Sequence, residues 1–159
     1  FIAAAEACRE SGGKVALSLS DGFCVDRHRD SFRDLVENHV DILFANEDEA
    51  ASLCDSHIAS ATETLCGQVG EAVITRGENG AFVGSGDIRH ECAAQPFGGV
   101  EDTTGAGDLF AAGYLFGRTN GRDPLASGLI ASLAAGEVIS HIGARPQADV
   151  AAMIAAEKL

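Results

Sequence analysis

An α/β architecture on a mainly parallel sheet is the fold class this sequence predicts, from the cadence of its elements, the make-up of its strands and its helix-rich last third. Short β-rich runs, Val15–Leu19, Asp41–Ala45 and Ala72–Thr75, alternate with stretches of helical pattern, the rhythm of strands joined by crossover helices. These runs are nearly continuous in apolar residues, as expected of strands covered on both faces. Beyond Gly107, small and apolar residues dominate segments long enough for packed helices.

In chain order, the opening residues from Phe1 read as an amphipathic helix already under way. The first strand follows, then a polar helical stretch from Arg27 to Asn38, then the strand Asp41–Ala45. Helices are expected at Glu47–Cys54 and Ser60–Cys66, ahead of the strand Ala72–Thr75. Arg76–Gly80 is a turn by composition, and Ala81–Gly84 and Ile88–Ala93 read as an antiparallel ribbon separated by Gly84-Ser-Gly-Asp87. The last third carries helices at Gly107–Phe116 and Asp123–His141, with a terminal helix within Ala148–Leu159. No repeat, low-complexity linker or shift of composition divides the chain, so residues 1–159 are read as a single unit.

Composition narrows the function. The 159 residues are 46% hydrophobic with 19 glycines, and no apolar run approaches the roughly 20 residues of a bilayer span. A soluble protein outside the membrane is expected, and with no export signal in the opening residues the cytoplasm is its expected setting. The formal charge of −13 argues against nucleic acid, whose affinity comes from Lys and Arg neutralising phosphates. It leaves room for a nucleotide, since one phosphate chain can be held by a few backbone N–H groups and a divalent cation. Cys8, Cys24, Cys54, Cys66 and Cys92 form no C-x-x-C pair and are expected as reduced core thiols. The histidines show no grouping that puts two ligands on one metal.

Chemistry concentrates in Glu101-Asp-Thr-Thr-Gly-Ala-Gly-Asp108, which runs into an apolar helix. Two glycines flanking an alanine at a helix start let successive N–H groups converge on an anion, aided by the helix dipole. Gly105, Ala106 and Gly107 are therefore expected to form an anion hole. Asp108, in the first helical turn, is placed to accept a proton from a hydroxyl attacking a phosphoryl group, the main chemical service that phosphoryl transfer needs beyond alignment and charge stabilisation. No G-x-x-x-x-G-K-[ST] is present, because the only lysines are Lys14 and Lys158; a P-loop kinase is excluded. A dinucleotide G-x-G-x-x-G after a strand is also missing.

The string Asp102-Thr-x-Gly-Ala-Gly-Asp108 resembles the signature of the ribokinase-like, or phosphofructokinase B type, carbohydrate and nucleoside kinases. Other segments match in the same order. Asp41-Ile-Leu-Phe-Ala-Asn-Glu-Asp-Glu-Ala50 is similar to the family's strand followed by Asn-x-x-Glu, which puts Asn46 and Glu49 near the phosphates and the magnesium shell. A carboxylate so placed can hold metal-bound waters, the mode preferred by an ion that dehydrates reluctantly. Val73-Ile-Thr-Arg-Gly-Glu-Asn-Gly80 looks like the strand and turn beside the nucleotide, matching Thr75, Gly77 and Gly80. Ser132 falls where many relatives carry an adenine-neighbouring Asn, a departure that puts its contact with adenine in doubt. Gly143-Ala-Arg-Pro146, including Ala144, resembles the loop that closes over the base.

What the resemblance implies is a three-layer α/β/α sandwich whose amino-terminal half and lid lie outside these residues. It implies ATP and Mg²⁺, a monovalent cation such as K⁺ on the carbonyls of Asp102 and Thr104, and a homodimer through the lid. The acceptor is a nucleoside or sugar, adenosine ahead of a free sugar because Ser18-Leu-Ser-Asp-Gly-Phe23 is more similar to adenosine kinases. The other readings are a ribokinase- or fructokinase-type sugar kinase and a nucleotide-binding module without turnover. Lacking the acceptor-gripping half, the piece is expected to be inactive alone.

Overall fold

Four consecutive apolar residues at 42–45 leave no polar face to set against water, and the chain there runs through the middle of a sheet. The computed structural model describes residues 1–95 and 97–159. Its strands are β1 (Ala16–Ser18), β2 (Ile42–Asn46), β3 (Glu71–Thr75), β4 (Ala81–Ser85) and β5 (Ile88–Cys92), in the sheet order β1-β2-β3-β4-β5. The helices are α1 (Ile2–Glu10), α2 (Gly22–Arg27), α3 (Arg29–His39), α4 (Glu47–Cys54), α5 (Ile58–Gln68), α6 (Ala106–Thr119), α7 (Pro124–Val138) and α8 (Val150–Ala156). The chain divides into two compact units, Phe1–Arg76 with Phe82–Arg89, and Gly77–Ala81 with His90–Leu159.

In the first unit β1, β2 and β3 are parallel, with Ala16 beside Ile42, Ile42 beside Glu71 and Asn46 beside Thr75. The first four residues of β2 and of β3 are all buried, the double-sided burial that the sequence predicts; β1 departs from it, with Ala16 and Ser18 exposed and Leu17 half-buried. Leu43, Ala45, Ala72 and Ile74 join a core with Val36, Leu53, Ala61 and Leu65 from the flanking helices. Each such fully buried branched side chain contributes about 1.5–3 kcal/mol. The links from β3 to β4 and from β4 to β5 are too short for a crossover, so these strands return antiparallel.

One helical expectation needs revision. The polar stretch at 27–38 is the end of α2 followed by α3, interrupted at His28, whose φ of −126° and ψ of 29° are not helical. The start of α2 is fixed by Asp21, whose carboxylate accepts the Phe23 N–H at 2.9 Å. This is ordinary N-cap chemistry, and Asp-Gly ahead of Phe23 was its signal in the sequence.

The second unit is built on α6 and α7. A Cβ on Gly113 would lie 2.8 Å from the Ala131 Cα, and one on Gly117 2.8 Å from the Ser127 Cα, so the two helices meet almost backbone to backbone. Helix α7 is apolar around its circumference and mostly buried, as a helix packed on several sides must be. Asp123 starts it by accepting the Ala126 N–H at 2.8 Å, with Pro124 in the first turn. Among the described residues no helix is long and apolar enough to cross a membrane. Among the described residues no disulfide forms; Cys66 and Cys92 are buried, whereas Cys8 and Cys54 are half-buried and Cys24 is exposed on α2 rather than in the core.

Candidate active site

Helix α6 begins at Ala106 with Gly105 as its N-cap, at φ 84° and ψ −1°, a left-handed conformation that favours glycine. Space makes the same demand, because a Cβ on Gly105 would lie 2.8 Å from the Ala144 Cβ and 3.0 Å from its Cα. The Ala106 N–H turns back to the Thr103 carbonyl at 3.1 Å, and Leu109 begins the helical ladder by donating to the Gly105 carbonyl at 2.9 Å. Of the expected anion hole, then, Ala106 has its amide committed. The N–H groups of Gly107 and Asp108 donate to none of the described residues. Gly107 and Asp108 are exposed, and a Cβ on Gly107 would meet nothing within 4 Å. Packed side chains therefore do not seal the helix start, and the Asp108 carboxylate stands beside unoccupied donors.

Asp102 organises the approach to this helix. One carboxylate oxygen accepts the Thr104 N–H at 2.9 Å and the other the Gly143 N–H at 3.0 Å. Hydrogen bonds from Thr104 and from the Gly143 backbone hold its carboxyl down to about 2. Because the folded value lies below that of the free side chain, the stabilisation is complete above about pH 4 and fades only as pH falls towards 2. The carboxylate ties the turn before α6 to the segment carrying Ala144. The carbonyls of Asp102 and Thr104 accept no hydrogen bond from the described residues, so both fit the part of ligands for a monovalent cation.

Glu137, near the end of α7, is a member of this neighbourhood that sequence reading missed. It is 3% exposed, and its Oε1 accepts the N–H groups of Gln147 at 2.8 Å and Ala148 at 2.7 Å. Burial pushes its carboxyl up, yet the Ala148 and Gln147 amides and the His141 ring outweigh that and hold it below the ordinary glutamate value. The one available signal was a lone charge in an otherwise apolar helix.

In the first unit, Asn46 and Thr75 are register partners at the carboxyl ends of β2 and β3, the edge where open α/β sheets take their ligands. Thr75 is half-buried, with Oγ1 3.5 Å from the Ala45 carbonyl. Asn46 caps α4 and forms a reciprocal box with Glu49: the Glu49 N–H donates to Asn46 Oδ1 at 2.8 Å, while the Asn46 N–H and Nδ2 donate to the two Glu49 oxygens at 2.9 Å each. Glu49 is 7% exposed with both oxygens engaged. This donor set does not fit direct coordination of a magnesium ion and does fit a contact through its water shell.

The remaining predicted positions differ in character. Gly77 opens a 3₁₀ turn at φ 55° with nothing near a would-be Cβ, whereas Gly80, at φ 80°, would place one 2.0 Å from the Cys92 carbonyl oxygen. Gly80 is thus required by packing, Gly77 by conformation alone. Ser132 is 4% exposed inside α7, and its hydroxyl has no partner among the described residues; it presents almost no surface to a ligand. A surface cavity of about 340 Å³ in the first unit, lined by Glu47, Ile58, Glu63, Arg76 and Phe82 among others, contains none of the predicted residues. Asn46, Thr75 and the α6 start lie outside it.

Comparison with known proteins bears on the family and the fold. The profile of the pfkB family carbohydrate kinases matches residues 1–151. The cytidine kinase of Thermococcus kodakarensis is 40% identical over 100 residues, 60% of this chain and 35% of that protein. The crystal structure of adenosine kinase from Sinorhizobium meliloti superposes with a TM-score of 0.93 at 40% identity, over 98% of this chain and 48% of that one. A probable sugar kinase from Rhizobium etli CFN 42 gives 0.94 at 40% identity, over 97% and 47%. The chain spans about half the length of these solved relatives. The fold is that of the ribokinase-like α/β proteins. The chain belongs to the pfkB family of carbohydrate kinases.

Proposed function

We propose that this chain is the nucleotide-binding and catalytic portion of an ATP-dependent kinase that phosphorylates a hydroxyl of a nucleoside or, as the second reading, of a sugar. The observation that carries it is the open start of α6, where an exposed carboxylate, Asp108, adjoins amides with no partner among the described residues. In this reading the acceptor hydroxyl gives its proton to Asp108, its oxygen bonds to the γ-phosphorus, and the bond to the β–γ bridging oxygen breaks to release ADP. Gly105 and the amides of Gly107 and Asp108 carry the charge that builds on the transferring group. A nucleoside, adenosine first, is put ahead of a sugar on the likeness of Ser18–Phe23 and Val40–Ala50 to adenosine kinases; relatives at 40% identity named cytidine kinase and adenosine kinase support it, and one named probable sugar kinase at the same identity keeps the sugar as the second reading.

Asn46, Glu49, Thr75, Gly77, Gly80 and Ala144 serve the nucleotide in this proposal, whereas Ser132, buried within α7, is given no contact with it. Magnesium, when bound, neutralises phosphate charge, with Glu49 addressing its water shell. Potassium on the Asp102 and Thr104 carbonyls would stiffen the turn before α6; rates that are equal in sodium, potassium and large organic cations remove that part. The cytoplasm, where ATP is available, is the setting in this proposal.

The decisive experiment is a phosphorylation screen of the full-length protein with ATP, magnesium and a panel of adenosine, cytidine, ribose and fructose, repeated on Asp108→Asn. The variant should lose about 10²–10⁴-fold in kcat with ATP affinity changed by no more than a few-fold. Turnover that survives the substitution would refute Asp108 as the base.

A further inference from the structure

We propose that Glu137 is a positioning residue: its buried carboxylate moors the segment from Ile139 to Asp149 and, through Ala144, sets the wall of the phosphate cradle at Gly105. The inference rests on the reading of the α6 start as the phosphate site.

Glu137 stands where a carboxylate is least expected. It is the only charged residue of α7, it lies in the last turn, where the negative end of the helix dipole opposes it, and its Oε2 is buried without a partner among the described residues. A side chain present only to fill that space would cost less as Leu or Met. What offsets these penalties lies ten and eleven residues further on, in the Gln147 and Ala148 amides, both on Oε1. His141 Nε2 lies 3.4 Å from the same oxygen.

The segment is fastened at two other points. The Glu101 N–H donates to the Ile139 carbonyl at 2.9 Å, and the Gly143 N–H to Asp102 at 3.0 Å. Ala144 lies between the Gly143 and Gln147 fastenings, and it is the residue against which Gly105 is closely packed. Release at Glu137 lets the far side of that wall swing, widening the cradle without touching the amides or Asp108.

The test uses the full-length protein and the variants Glu137→Ala and Glu137→Gln, with ADP and ATP as probes. For Glu137→Ala we expect at least a tenfold loss in ADP affinity and a matching rise in the KM for ATP, with the acceptor KM unchanged. Hydrogen exchange at Gln147 and Ala148 should accelerate while α6 stays protected. Glu137→Gln, which keeps an acceptor at Oε1, should recover most of both effects. A lower unfolding temperature with unaltered nucleotide affinity would make Glu137 merely structural and overturn the proposal. So would a Gln variant as impaired as the Ala variant. If the Ala protein does not fold, Glu137→Asp, one methylene too short to reach both amides, carries the same expectation. A wild-type protein that binds no nucleotide sinks the underlying site assignment; binding that is intact in wild type and equal in the variants sinks this inference alone.

Discussion

Gly105 is the residue whose substitution isolates the cradle from the base. Its φ of 84° and the 2.8 Å approach to the Ala144 Cβ mean that any side chain there must strain the turn and push the wall outward. Gly105→Val is expected to lower kcat by roughly 10²-fold or more if the site behaves like other anion holes, with the protein still folded by circular dichroism. An unimpaired rate would put the phosphate elsewhere. At this scale the sequence was most legible where conformation and chemistry coincide, as in Gly-Ala-Gly-Asp. It was least legible at Asp102, whose backbone carbonyl was singled out although its side chain makes the longer-range tie. A carboxylate that reaches a loop 41 positions away leaves no local spacing to read.

Among the elements, α6 and α7 are joined by glycines that admit no Cβ. Alanine in a helix interior gains up to about 1 kcal/mol over glycine, whereas forcing a side chain into a packed contact costs about 1–3 kcal/mol. Packing should win at Gly113, whose nearest neighbours are Ala131 and Ile130 backbone atoms that cannot rotate aside. Gly113→Val is therefore expected to destabilise by about 1–3 kcal/mol, seen as a lower urea midpoint with an unchanged m-value. Equal or higher stability would mean the helices can separate freely. The start of helix α4 at Glu47 was legible because Asn46 caps it by side-chain chemistry. The split of α2 from α3 was not, because His28 breaks the helix by backbone angle and is otherwise an unremarkable helix residue.

For the molecule as a whole, the residues assigned to the nucleotide are divided between two compact units, with Asn46, Glu49 and Thr75 in one and the α6 start in the other. Within the first unit, Asn46→Ala removes the cap of α4 and its box with Glu49, and should lower stability by about 0.5–2 kcal/mol, read as a lower urea midpoint; an unchanged midpoint would mean that the box contributes nothing. The α/β class and the mainly parallel sheet were legible in the alternation of apolar runs and helices. The acceptor was not, because these 159 residues carry no segment whose chemistry selects one hydroxyl over another.

One side chain, that of Asp102, grips both the floor ahead of α6 and the rim at Gly143, like a single rivet through two plates. Slack on either side is felt at once on the other, so the Gly143 segment and the helix entrance share one degree of freedom. With a carboxyl that keeps its charge down to about 2, acidity in any ordinary cell compartment cannot loosen it.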